Sequence, residues 1–334
     1  MRYHLRKTIL KYRSVRRSRL WLKRIRIKGT NYLSLYRFFK IFLRNIQENE
    51  IVDRSNGVAF SFVLAVFPTI IFLFTLIPYI GQYFPAISRD NIMVMLGDYL
   101  PTSMYEVVAS TVLDILSKQR GGLLTLGFLF ALFLATNGMM SLMSAFNACY
   151  KTVEKRGFFE MRLTATGLTV FLAIVLLSSV VLLVLGEVAI REVSKEVANL
   201  SHWRLDKLTI YGLFFLRFTV IFIVFFLGVS FIYYFGPAVH YNWKFISIGS
   251  IFATLTCLLI SYGFSFYITN FASYNKVYGS IGALIAFMVW VQLLTLVLLF
   301  GYEINAAIHY GQKIDAIEHH KRMQRRISQE LVRD

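Results

Sequence analysis

Apolar residues in this chain come in long runs separated by short polar stretches. Six segments, 57–80, 121–145, 163–190, 210–235, 245–272 and 278–307, are almost continuously hydrophobic, and the charged side chains inside them are Glu187, Arg217 and Glu303. At 1.5 Å of rise per residue, about 20 residues cross the ~30 Å hydrocarbon core of a bilayer, so each run is long enough to span it as a helix. The pattern therefore predicts an all-α integral membrane protein, a bundle of six transmembrane helices. The expected organisation is a basic tail over 1–56, a six-helix membrane domain over 57–309 and a second tail over 310–334.

Outside the runs the period changes. Over residues 33–47, Leu33, Tyr36, Phe39, Leu43 and Ile46 fall on one face and Arg37, Lys40, Arg44 and Gln47 on the other. This predicts an amphipathic helix lying in the interface with its cations toward anionic headgroups. The loop 81–120 is long for a connector. Ile92, Met95, Leu96 and Tyr99 precede Pro101, and Val107, Val108, Thr111, Val112, Ile115 and Leu116 repeat at helical spacing after it, which predicts two short external helices.

Composition supports the reading. Hydrophobic residues make up 57% and charged residues 16%, against about 25% charged in soluble domains, and the mean hydropathy is +0.58. The net charge of +18 is segregated. With both ends placed inside, sixteen Lys and Arg fall in 1–56, four in 146–162, one at Lys244 and six after residue 310, against eight on the other side. Cytoplasmic segments retain such residues, so both termini are expected in the cytoplasm and the protein in the bacterial cytoplasmic membrane. The first run has the length of a full span and is read as an anchor, not a cleaved leader. The polybasic stretch from Arg13 to Lys28 is read as a lipid-binding topology signal, with no specific nucleic-acid partner. Cys149 and Cys257 are too few for a disulfide framework.

Catalytic constellations are missing from the pattern: the six histidines form no ligand pair with a carboxylate, and there is no phosphate loop or nucleophile elbow. No enzyme activity, metal or cofactor is expected. Polar groups inside lipid are the better guide, because an unsatisfied one costs several kcal/mol there. Arg217 either faces a cavity and attracts an anion or extends its stem to the headgroups. Glu303 is either a proton or cation site or the partner of nearby basic residues. Asn137, Asn270, Asn275 and Asn305 either line a route or stitch helices together. Pro68, in mid-span, is a candidate hinge or a static kink.

Several motifs resemble the YihY/BrkB family of bacterial inner-membrane proteins, over about residues 35–310. They are Ala59-Phe60-Ser61-Phe62 with Phe67-Pro68; Asn137-Gly138 through Ser141-Leu142, followed by Ala145-Phe146-Asn147 and Tyr150; and Tyr234-Phe235-Gly236-Pro237. The carboxyl stretch adds Tyr262-Gly263, Asn270-Phe271, Tyr274-Asn275, Tyr278-Gly279-Ser280 and Gly301-Tyr302-Glu303-Ile304-Asn305. The resemblance implies six spanning helices with cytoplasmic ends. It implies that the ribonuclease BN label once given to the family is a misassignment, and it suggests a role in envelope lipid or solute export. The expected function is thus a transporter or flippase-like exporter of an amphiphilic or anionic envelope solute, with membrane lipids as partners. The alternative is a non-transporting scaffold in envelope biogenesis. The long basic tail and Tyr302, where the family commonly has a small residue, depart from the pattern.

Overall fold

The computed structural model describes residues 20–25, 33–80, 93, 109, 121–199, 207–238, 244–270 and 280–331. Seven long helices account for most of them: α1 (Leu35–Glu48), α2 (Ile51–Ile80), α3 (Gly121–Cys149), α4 (Phe158–Asn199), α5 (Lys207–Phe235), α6 (Ile248–Asn270) and α7 (Ser280–Leu331). Helices α2 to α7 each contain a stretch long and apolar enough to cross a membrane, six among the described residues, as the apolar runs predict. The two short helices expected between 81 and 120 lie outside the described residues.

Each spanning helix packs on its neighbours in the chain, and α7 returns to pack on α2, so α2 to α7 close into a ring. An even number of crossings leaves α1 and the end of α7 on the same side. The Arg37 guanidinium shows this directly by donating to both carboxyl oxygens of Glu318, at 2.6 and 3.3 Å. The main core lies at this α1 end. There the ring of Phe146 from α3 stacks on Tyr302 of α7 (4.2 Å between centroids) and meets Tyr233 of α5 edge-on (5.4 Å). The Tyr233 hydroxyl donates to the Leu298 carbonyl, which satisfies that phenol inside the cluster.

Close approach is set by glycine. A Cβ on Gly249 of α6 would lie 2.0 Å from the Gly301 carbonyl oxygen of α7, and one on Gly301 would lie 2.6 Å from the Tyr233 hydroxyl. Gly138 receives the Phe62 ring and Gly228 receives Val175 in the same way, joining α3 to α2 and α5 to α4. In lipid, where apolar burial alone does not drive helices together, such backbone contact supplies the packing energy.

Helix α1 forms where the amphipathic pattern places it. Ser34 caps it by accepting from the Arg37 amide at 3.4 Å. Phe38, Ile41 and Asn45 face the protein, whereas Phe39 and Leu43, on the apolar face read from sequence, are exposed. Two adjacent apolar stripes exist on this helix, and α7 selected the one that carries an amide. Leu33, just before the helix, lies over Gly311, whose missing side chain leaves the space. The helix thus has one side on the bundle and one apolar strip facing outward.

Replacing Gly249 or Gly301 by Ala is expected to lower stability by about 1–3 kcal/mol through overpacking at the α6–α7 contact. Gly263→Ala, where a Cβ meets nothing within 4 Å, serves as the neutral control. Unfolding midpoints in detergent check this; equal midpoints for all three variants would remove the close-approach argument.

Candidate functional site

Two charged groups sit inside spanning helices with ligands that are neutral. The first is Glu303 on α7, whose side chain is fully buried. The Asn45 carboxamide of α1 donates to its Oε1 at 2.7 Å, and the Asn49 carboxamide donates to its Oε2 at 3.1 Å. Asn49 also donates to the Cys149 carbonyl at 3.4 Å, and the Cys149 thiol faces Glu303. Among the described residues no cation is within ion-pair distance of Glu303. Lys151 is turned instead to Glu48 at 2.9 Å, and holds that carboxyl below its ordinary range. Two amides one helical turn apart on α1 therefore grip both oxygens of a carboxyl on α7.

The second is Arg162 on α4. Its guanidinium donates to Asn137 Oδ1 and, at 3.3 Å each, to Met140 Sδ and the Phe133 carbonyl, and it lies 4.3 Å from the centre of the Phe133 ring. All these acceptors belong to α3. Arg162 lies four residues, about 6 Å, into α4, whose candidate span begins at Phe158, and its partner Asn137 is twelve residues before Cys149, the last residue of α3. Among the described residues no carboxylate is paired with Arg162, and its neighbours Phe159 and Leu163 are exposed apolar side chains. A guanidinium stays charged in proteins, so this is a cation within the span that lacks an anion.

The sequence reading placed Arg162 in a loop because the apolar run starts at Leu163. Helix α4 instead begins at Phe158, part-way along α3. The connector from Tyr150 to Gly157 folds back against the bundle: Asn147 donates to Glu154 at 2.7 Å, Arg156 pairs with Glu154 at 2.8 Å, and Arg156 also donates to the Gly236 carbonyl at 2.9 Å. The Ala238 amide completes the set by donating to Asn147 Oδ1 at 2.8 Å. Arg156 holds the Glu154 carboxyl at about 2, well below its ordinary 4.5.

The other residues singled out from sequence separate into three groups. Asn305 lies two residues beyond Glu303 and serves a different helix: its Oδ1 accepts from the Gly249 amide at 2.8 Å and its amide donates to Ser247 Oγ at 2.9 Å, so it caps the start of α6. Arg217 lies on α5 and Asn270 ends α6, but both side chains are outside the described residues, as is Asn275 altogether. Helix α2 runs through Pro68, beside which the Thr69 hydroxyl donates to the Ala65 carbonyl at 2.6 Å. Asn45, Asn49 and Arg162 were missed. An amide recurring at i and i+4 beside Phe38 and Ile41 was the available signal for the first two.

Sequence comparison matches residues 42–327 to virulence factor BrkB. The chain belongs to the virulence factor BrkB family. It is 32% identical over 281 residues to the ribonuclease-like protein YfkH of Bacillus subtilis, covering 83% of this chain and 97% of that one. It is 25% identical over 298 residues to a UPF0761 membrane protein of Vibrio parahaemolyticus and 26% identical over 296 residues to one of Vibrio campbellii, each covering 84% of this chain and 86% of the relative. The ribonuclease-like name is a misnomer within this family of membrane proteins. No solved structure matches the chain.

Two outcomes test the geometry. Glu303→Ala takes the acceptor from Asn45, at about 1–3 kcal/mol, leaves Asn49 only the Cys149 carbonyl, and is expected to release α1. Trypsin cleavage at Lys40 and Arg44 should then be faster than in wild type, with Asn45→Ala intermediate; unchanged cleavage in both means that α1 docks without these bonds. The Glu154–Arg156 tie has a depressed folded pKa, so its contribution is full above about 4.5 and lost as pH falls through about 2. Unfolding midpoints between pH 6 and pH 2 should fall for wild type more steeply than for Glu154→Gln.

Proposed function

We propose that this family member is a non-enzymatic transporter that moves an amphiphilic, anionic envelope solute, such as a lipid, across the bacterial cytoplasmic membrane. The observation that carries the reading is Arg162: a guanidinium inside the candidate span of α4, oriented by Asn137, whose acceptors are all uncharged. A cation left in that state costs several kcal/mol, and the anionic group of a passing solute offsets the cost. The sequence leaves Arg217 open as an anion-attracting group, and its side chain lies outside the described residues; the surroundings of Arg162 support the same role. Arg217, Asn270 and Asn275 are assigned to the far mouth of the route, Glu303 to its gating at the α1 end, and Pro68 to the bending of α2.

In this reading both termini face the cytoplasm, because the sequence concentrates its Lys and Arg in the tails and in the connector that carries Lys151, Lys155 and Arg156. The outward strip of α1, with Phe39 and Leu43 exposed beside Lys40 and Arg44, rests on anionic headgroups. A second reading is a scaffold that transports nothing. It is favoured by Asn137, Asn147 and Asn305, each of which already joins helices or connectors.

Reconstituted vesicles separate the two. Arg162→Gln is expected to slow leaflet-to-leaflet movement of a fluorescent anionic phospholipid by about tenfold or more, the equivalent of ~1.4 kcal/mol, while Arg162→Lys retains part of the rate. If wild-type protein moves nothing above empty vesicles, or Arg162→Gln matches wild type, transport through Arg162 is wrong.

A further inference from the structure

Between α2 and α7 lies a groove of about 540 Å³. That volume lies in the ~300–1,000 Å³ range of small-molecule sites. Its floor is made of small buried side chains, Ala59 and Val63, and its walls of larger exposed ones, Phe60, Met288 and Val289. One end is polar: the Gln292 amide donates to Asn56 Oδ1 at 2.6 Å. That single bond leaves the two N–H groups of Asn56 and the Gln292 carbonyl unused among the described residues.

An apolar slot closed by spare N–H donors calls for a ligand with a hydrocarbon body and an acceptor oxygen at one end, because an amide unsatisfied in lipid costs several kcal/mol. The polar end points toward α1, since Asn56 and Gln292 are the lining residues nearest Asn49 and Glu303 along their helices. Asn56 is five residues, about 8 Å, into α2 from Ile51, so the polar end lies near the α1 end of the span. Beyond it, α1 carries exposed Lys40, and Arg44, which lies 3.6 Å from Glu48.

We propose that this groove is a specific site for one diacyl glycerophospholipid. An acyl chain lies on the Ala59–Val63 floor, an ester carbonyl accepts from Asn56 Nδ2, and an anionic headgroup is directed toward the cations of α1. The site does not depend on transport: a lipid held here is bound whether or not Arg162 moves one.

The test is native mass spectrometry of the delipidated full chain in detergent, titrated with diacyl phosphatidylglycerol, its diether analogue and diacyl phosphatidylcholine. One tight phosphatidylglycerol per chain is expected, with the diether form bound roughly threefold to tenfold more weakly for want of the ester acceptor. Phosphatidylcholine is also expected to bind more weakly than phosphatidylglycerol. Asn56→Leu removes the donor and Met288→Trp fills the slot from an exposed wall; each should weaken binding by about tenfold or more. The Met288 variant alters no buried residue and decides the matter if the Asn56 variant does not fold. Equal binding by wild type and Met288→Trp, or by ester and ether lipids, overturns the site; equal binding of the two headgroups overturns the role of α1. Arg162→Gln should keep the tight lipid, so failure of transport and failure of this site give different results.

Discussion

Hydrocarbon supplies no hydrogen bonds, and that constraint organises the α1 end of this bundle. Polar side chains there find partners within the protein, and several of them become joints between segments. Glu303 joins α7 to α1, Asn305 joins α7 to the start of α6, Arg162 joins α4 to α3, and Asn147 joins α3 to both the following connector and the residue after Pro237. Apolar packing alone would leave these helices able to slide, because a lipid tail is as good a neighbour as a leucine. The amide and carboxyl joints fix their register.

The joints and the glycine contacts depend on one another. Asn305 reaches the Gly249 amide because α6 and α7 touch backbone to backbone, with Gly301 and Gly249 facing each other. A side chain at either position would move the amide out of range. Likewise, Tyr302 can be large because Phe146 stacks flat on it and Gly301 beside it takes no space. The departure from a small residue at 302 is therefore absorbed by neighbouring rings, and Glu303 remains enclosed.

Spans were legible because their signal is one-dimensional: length and apolarity alone identify a membrane helix. The faces were not. Helix α1 carries two apolar stripes a residue apart, and periodicity ranks Phe39–Leu43 as highly as Phe38–Ile41; only the amides at 45 and 49, matched to a carboxyl more than 250 residues away, decide between them. Arg162 was misplaced for a related reason. A hydropathy run ends at the first charge, whereas the helix starts where its backbone can, and α4 starts four residues earlier. The close contact of Gly249 with Gly301 was not legible either, because the two find each other across two helices and share no local spacing.

Ionisable groups of both signs are kept apart in this bundle. Arg162 sits at the α3–α4 contact and Glu303 at the α7–α1 contact, and each has carboxamide partners: Asn137 turns its oxygen to the cation, Asn45 and Asn49 turn their N–H groups to the carboxyl. Had the two met, their attraction would have formed a fixed ion pair, and neither would act on anything else. An amide ligand orients such a group without an opposite charge. Glu303 is so held against the helix that connects the basic tail to the bundle, and Arg162 lies beside exposed Phe159 and Leu163. The separation therefore divides the molecule into an anchored end, where the carboxyl holds α1, and a lateral cationic position at the α3–α4 contact.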